Sequence, residues 1–138
     1  MNQEMPLPGI DPLTKPFWEG TKRHKLMMQK CPSCGRFHWL PASSCQSCGN
    51  PALTWEEVKK TGTIFTFTEV NKVVRNVAFQ KQTPYLIAMA QLDDGPRIIA
   101  NVPEYGSLDR VKIGAKVEVI FDDITSDITL PRFRIIER

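Results

Sequence analysis

The sequence predicts a mainly β protein in three parts: a short N-terminal helix, a compact four-cysteine ribbon and a five-stranded C-terminal barrel. Three observations carry this prediction. All four cysteines fall in "CPSCGRFHWLPASSCQSCGN", residues 31 to 50, as two Cys-x-x-Cys pairs with ten residues between them. From Leu53 onward the chain alternates apolar and polar residues between Gly- and Pro-bearing turns, which is the pattern of half-buried strands. Before the cysteines, "DPLTKPFWEGTKRHK" offers a capping residue at Thr14, a proline in the first turn and Glu19 close behind.

Taken in order, residues 1 to 12 hold Pro6, Pro8, Gly9 and Pro12, which suits an extended leader. The helix that follows projects Phe17, Trp18, Thr21 and His24 at helical spacing, and Gly20 weakens it. Leu26 to Gln29 reads as a short strand entering the first cysteine pair. Beyond the ribbon, "TGTIFTFTEV" places Phe65 and Phe67 on one strand face, and barrel core is favoured for both. "PYLIAMAQL" and "RIIANV" flank "DDGP" and predict a hairpin over residues 84 to 102. "KVEVIF" sets Val117, Val119 and Phe121 against Lys116, Glu118 and Ile120, and "RFRIIE" closes the chain with Phe133 and Ile135 in phase. The strands are expected near 61–73, 84–93, 96–102, 116–122 and 132–137. Five strands in about 80 residues fit a small barrel, since an immunoglobulin-type sandwich wants about seven. Boundaries are placed at 1–25 for leader and helix, 26–54 for the ribbon and 55–138 for the barrel, with Trp55 in the seam.

Composition narrows the function classes. The 138 residues are 41% hydrophobic and 24% charged, the balance of a globular chain. No run nears the roughly 18 apolar residues that cross a bilayer, and the N-terminus lacks a secretory pattern, so the expected location is cytoplasmic with no membrane partner. A net charge of +3 is too small for a dedicated duplex-DNA binder. Lys22, Arg23, Lys25, Lys30 and Arg36 do cluster around the first cysteine pair; a solvated face is favoured there over a phosphate site.

In a reducing compartment, clustered thiols point to metal before disulfides. Two Cys-x-x-Cys knuckles turn four sulfurs onto one ion and leave no open coordination position. Gly35 and Gly49 each follow a second cysteine, where a knuckle needs positive φ. The spacer is shorter than the roughly 15 to 20 residues of the usual ribbon pattern. Structural zinc on Cys31, Cys34, Cys45 and Cys48 is favoured; iron in the same four thiolates stays open, and redox use lacks its βαβ context. His38 is a fifth potential ligand that a complete set does not need.

"PFWEG", "QKCPSCGRFHWLPASSCQSCG", Trp55, "GTIFTFTEV", "PYLIAMAQLDDGPRI", "IGAKVEVIF" and "PRFR" form an ordered series over about residues 12 to 135. Together they resemble the zinc-ribbon/OB-fold acyl-CoA-associated family, long labelled a domain of unknown function. The resemblance implies a rubredoxin-like zinc ribbon and an OB-fold barrel. It also implies an accessory role beside thiolase-like, lipid-transfer-like or hydratase enzymes, binding or shielding acyl-CoA or scaffolding the enzyme. It supplies no catalytic residue. The residues agree: Asp93–Asp94 and Asp122–Asp123 are adjacent acids whose side chains diverge, and no phosphate-loop pattern occurs.

For an acyl-CoA ligand the candidate contacts are Phe17, Trp18, Lys22, Arg23, Lys25, Arg36, Trp39 and Arg97, which pair cations with apolar surface. Against this stands the reading that Phe17 and Trp18 only dock the helix. The alternative function is a single-stranded nucleic-acid binder that stacks bases on Phe65 and Phe67. Aromatics on so short a helix further predict a homo- or hetero-oligomer.

Overall fold

The computed structural model describes residues 6–136. The parts of the expected leader, last strand and barrel that fall on residues 1–5, 137 and 138 lie outside them. Helix α1 spans Lys15–Lys22. Thr14 occupies the N-cap position, but its side chain makes no capping bond. The hydroxyl is spent on Asp11, whose Oδ1 lies 3.1 Å from Thr14 Oγ1 and accepts from the Thr14 amide at 2.9 Å. The turn before the helix therefore rests on Asp11. At the other end, the Lys25 and His24 amides donate back to the Gly20 and Thr21 carbonyls. His24 takes the left-handed φ of +59° that such a terminus requires, where glycine is the usual residue.

Gly20, read from sequence as a weak point, is where the helix meets the ribbon. A Cβ there would lie 2.4 Å from Met27 Cγ. The next strand, β1 (Met27–Lys30), pairs antiparallel with β2 (Phe37–His38) and with β3 (Thr54–Glu57), giving a sheet ordered β2-β1-β3. Neither β2 nor β3 was visible in the sequence as a strand. Their few residues straddle the cysteine knuckles, and their pairing with β1 comes from the chain's return.

The second sheet is the barrel: β4 (Thr61–Val70), β5 (Tyr85–Leu92), β6 (Arg97–Asn101), β7 (Lys116–Asp123) and β8 (Thr129–Ile135), ordered β6-β5-β4-β7-β8 and antiparallel throughout. A short helix α2 (Val77–Gln80) interrupts the β4–β5 connection, where the first strand was expected to run on to residue 73. Asn76 caps it by accepting from the Phe79 amide at 3.0 Å. The barrel is near-closed. Edge strands β6 and β8 share no ladder; Arg132 of β8 bridges them by donating to Asn101 Oδ1 at 3.2 Å, while Asp122 Oδ2 of neighbouring β7 holds its Nε at 2.7 Å.

Burial alternates along β5, with Leu86, Ala88, Ala90 and Leu92 inside. Val117, Val119 and Phe133 face them, as their phase required. One apolar cluster runs from Phe17, Leu26, Met28 and Val58 through Ile64 to Phe133, so helix, ribbon and barrel pack against each other. The expectation that Phe65 is core is corrected. The β4–β5 register shifts between Ile64 and Thr66, a β-bulge that leaves Phe65 44% exposed while Phe67 packs on the core.

Candidate metal centre

The two knuckles are built alike. The Cys31 amide donates to the Arg36 carbonyl and the Gly35 amide to that of Cys31, while Cys45, Asn50 and Gly49 repeat the pattern at 2.8 Å. Gly35 and Gly49 hold φ of +76° and +82°, a region that strains side-chain-bearing residues. These turns bring the four sulfurs within 4.8 Å of one another. Cys31 Sγ lies 3.5 Å from Cys48 Sγ, and Cys34 Sγ lies 3.7 Å from Cys45 Sγ. A tetrahedron with metal–sulfur bonds of about 2.3 Å has edges of about 3.8 Å, so the donor set fits a four-coordinate ion.

The electrostatics point the same way. Backbone donation from Cys34 holds the Cys31 thiol below its ordinary value. Burial alone would raise Cys45, but the Cys48 and Ser47 amides and the His38 ring outweigh it and bring it to about 5. Cys34 and Cys48 move the other way. Backbone donation from Arg36 and from Asn50 favours their thiolates, yet burial and neighbouring sulfurs raise Cys34, and Cys31 and Cys45 push Cys48 to about 11. Four thiolates this close repel, and a cation at their centre removes the conflict. His38 sits outside the four: its Nε2 lies 3.2 Å from Cys45 Sγ, a hydrogen-bonding distance to the sulfur.

Two residues that sequence reasoning passed over brace the ribbon, one at its spacer and one between its knuckles. Buried Gln29 donates from Nε2 to the Ala42 carbonyl at 2.9 Å and accepts from the Ala42 amide at 2.8 Å. Asn50 donates to Ser33 Oγ at 2.6 Å and ties one knuckle to the other. A buried glutamine's need for partners is readable only once β1 is known to be covered on both edges.

Of the candidate ligand residues, three come together. The Phe17 ring is 4.8 Å from Trp18 and 4.7 Å from Trp39, centre to centre. Phe17 is only 2% exposed, which makes it the docking side chain of the helix. A groove of about 620 Å3 opens beside it, lined by Leu7, Ile10, Lys15, Trp18, Lys22 and Ile128. Arg23, Lys25 and Arg36 are exposed and do not line it, nor do Trp39 and Arg97. Phe65 and Phe67 do not form a two-ring platform, because only Phe65 faces out, with the Arg97 guanidinium 3.7 Å from its centre.

The acids are engaged separately. Asp93 accepts from Thr61 Oγ1 at 2.5 Å and Asp94 from the Lys59 amide at 2.8 Å. His24 Nε2 contacts Asp123 at 3.1 Å across 99 residues, with its ring stacked on Phe121. That pair locks the left-handed helix end to β7. The Thr129 hydroxyl, then His24, hold the Asp123 carboxyl below its ordinary value. Its charged form thus favours the fold; the contribution is present above the unfolded value of about 4 and fades as pH falls through the lower folded value. Asp123→Asn is therefore expected to lower stability at neutral pH and to flatten the acid side of a urea-midpoint profile. An unchanged profile would refute the lock.

Comparison with known proteins matches this architecture. The family model of the ChsH2 rubredoxin-like zinc ribbon domain fits residues 18–54, and that of the ChsH2 C-terminal OB-fold domain fits residues 55–122. A DUF35 domain-containing scaffold protein from Methanocaldococcus jannaschii is 31% identical over 113 residues, 80% of this chain and 77% of that protein. A probable enoyl-CoA hydratase alpha subunit from Thermomonospora curvata is 27% identical over 131 residues, 94% of this chain; the chain spans 39% of that relative's length. Among solved structures, a chain of the Ltp2–ChsH2(DUF35) aldolase superposes with TM-score 0.81 at 26% identity, covering 94% of this chain and 98% of its own. A DUF35 protein of unknown function from Sulfolobus solfataricus shares the fold, with TM-score 0.65 at 20% identity over 91% of this chain and 86% of its own. By its ribbon, its barrel and these relatives, the chain belongs to the zinc-ribbon/OB-fold family of DUF35 proteins.

Proposed function

We propose that this protein is a non-catalytic accessory subunit. It binds or shields an acyl-CoA thioester while a thiolase-like, lipid-transfer-like or hydratase partner makes and breaks the bonds. The observation that carries this reading is the end-to-end match to a chain of the Ltp2–ChsH2(DUF35) aldolase. Two relatives support it by name, one a scaffold protein and one a hydratase subunit.

In this reading Cys31, Cys34, Cys45 and Cys48 hold structural zinc, which supplies folding energy and no reactive position. Helix α1 presents Trp18 and Lys22 to the groove, which Glu19 and Asp127 also line, so an apolar arm there lies beside both a cation and carboxylates. The rest of the basic run, Arg23 and Lys25, continues from the helix end toward solvent. No described helix is long and apolar enough to cross a membrane.

The test has two parts. Tagged protein drawn from its native cells should bring down an enzyme of acyl-thioester chemistry, identified by mass spectrometry. Titration calorimetry with acetyl-CoA should then give heat with the partner present and less, or none, without it. A chain that copurifies with nothing is not an accessory subunit. Silence toward acetyl-CoA in both conditions would remove the ligand half of the reading.

A further inference from the structure

The outer face of β4, β5 and β6 leaves large apolar side chains in water. Ile99 is 58% exposed and Phe65 44%. Phe65 is there because the bulge after Ile64 turns one extra residue of β4 outward, and such bulges re-aim side chains. Met89, paired with Ile99 across the ladder, joins the two on the same side. A solvated barrel wall has no need of them.

The cation on this face is held in place. Arg97 lies over the Phe65 ring at 3.7 Å, and its Nε donates to Gln91 Oε1 at 3.1 Å. Gln91 Nε2 in turn donates to the Gly95 carbonyl. Gly95 rests on the ribbon so closely that a Cβ would sit 2.9 Å from Phe37 Cβ. Lys30 Nζ lies 5.3 Å from the Phe37 ring centre. One line of contacts thus runs from the ribbon's aromatic edge to the barrel's outer face, and the surface along it is preorganised.

Its charge is one-sided. The two acids of the hairpin, Asp93 and Asp94, turn away toward Thr61 and Lys59. Among the described residues no carboxylate pairs with Arg97. A fixed, unpaired guanidinium beside exposed aromatic and aliphatic side chains has the make-up of an interface hot spot.

We infer that this face docks the protein partner, and that the partner presents an apolar patch with a carboxylate placed for Arg97. The inference rests on the accessory-subunit reading and names the surface that reading requires. A second copy of this chain fits less well, because a two-fold contact brings this same face against itself, and the acids nearest to it, Asp93 and Asp94, are already turned toward Thr61 and Lys59. Single-stranded nucleic acid fits less well. Arg97 already covers a face of the outward ring, and Ile99 and Met89 offer no plane for stacking.

The experiment uses the full chain and the enzyme that copurifies with it, once that enzyme is identified and purified. Arg97→Glu and Ile99→Ser should each weaken binding, the charge reversal by about 30-fold or more. Val74→Ser, an exposed change on the loop after β4, should bind as the wild type does. Zinc content and circular dichroism, unchanged in all three, show that the variants fold. Restored binding of Arg97→Glu by an enzyme whose facing carboxylate is changed to lysine would fix the contact. Wild-type binding by both Arg97→Glu and Ile99→Ser overturns the face and leaves the accessory reading intact. If the wild type finds no enzyme, both fall. Self-association lost in Arg97→Glu, or a Phe65-dependent shift with a single-stranded oligonucleotide, overturns it in favour of those occupants.

Discussion

Cys45→Ser is expected to strip the protein of zinc and to dissolve the β2-β1-β3 sheet. Structural zinc binding in small domains is worth about 10–16 kcal/mol, as much as the whole stability of an ordinary domain. A ribbon of this size has little core of its own, since Leu26 and Met28 are buried against the helix and barrel side of the molecule. Cys45 is also the sulfur with the most support: the Ser47 and Cys48 amides donate to it at 3.4 Å and His38 approaches at 3.2 Å. A hydroxyl in its place is a poor zinc ligand and leaves those donors facing a group they do not match. Atomic emission should show the metal gone. Near-ultraviolet dichroism from Trp39 and Trp55 should collapse, and trypsin should cut at Lys30 and Arg36. A strong chelator acting on the wild type should reproduce all three. Metal-free protein with four titratable thiols and an unaltered spectrum would refute the structural role.

Phe17→Ala should cost about 3–5 kcal/mol, the usual penalty for emptying an aromatic site in a core. The ring is 2% exposed and contacts both Trp18 and Trp39, so its removal unseats α1 and the ribbon spacer together. Such a loss lowers the urea midpoint and drops the melting temperature by about 10 °C in a domain of this size. Trp18→Ala should cost less, because half-buried Trp18 keeps one side on the open groove. The pair of variants separates two readings that a sequence cannot part. If Phe17→Ala left stability alone and changed only acyl-CoA affinity, Phe17 would be a ligand contact after all.

The cysteine knuckles were legible because their chemistry is local. Cys-x-x-Cys-Gly states the turn, the donor and the positive φ within five residues, and the structure places Gly35 and Gly49 as that motif requires. The barrel strands were legible for a similar reason, since period-two burial in β5 needs no distant information. What escaped depends on partners far along the chain. Phe65 and Phe67 alternate correctly, yet a bulge set by the β4–β5 register turns one of them out. The His24–Asp123 contact joins residues 99 apart, and no spacing rule reaches that far. Gln29 reads as an ordinary polar strand residue until the loop carrying Ala42 folds over it. Even the helix end was hidden, because histidine took the place where glycine is the signal.

Gly20 has a mechanical meaning beyond its low helix propensity. A Cβ here would meet Met27 Cγ at 2.4 Å and the Lys25 carbonyl oxygen at 3.1 Å, so only glycine lets α1 sit this close to the start of β1. The helix is indexed to the ribbon like a key in a slot. Trp18, two residues earlier on the same rigid turn, inherits that setting and carries it to the groove wall. The wall that Trp18 lends the groove thus leans on a residue that does not line it, the glycine two positions on.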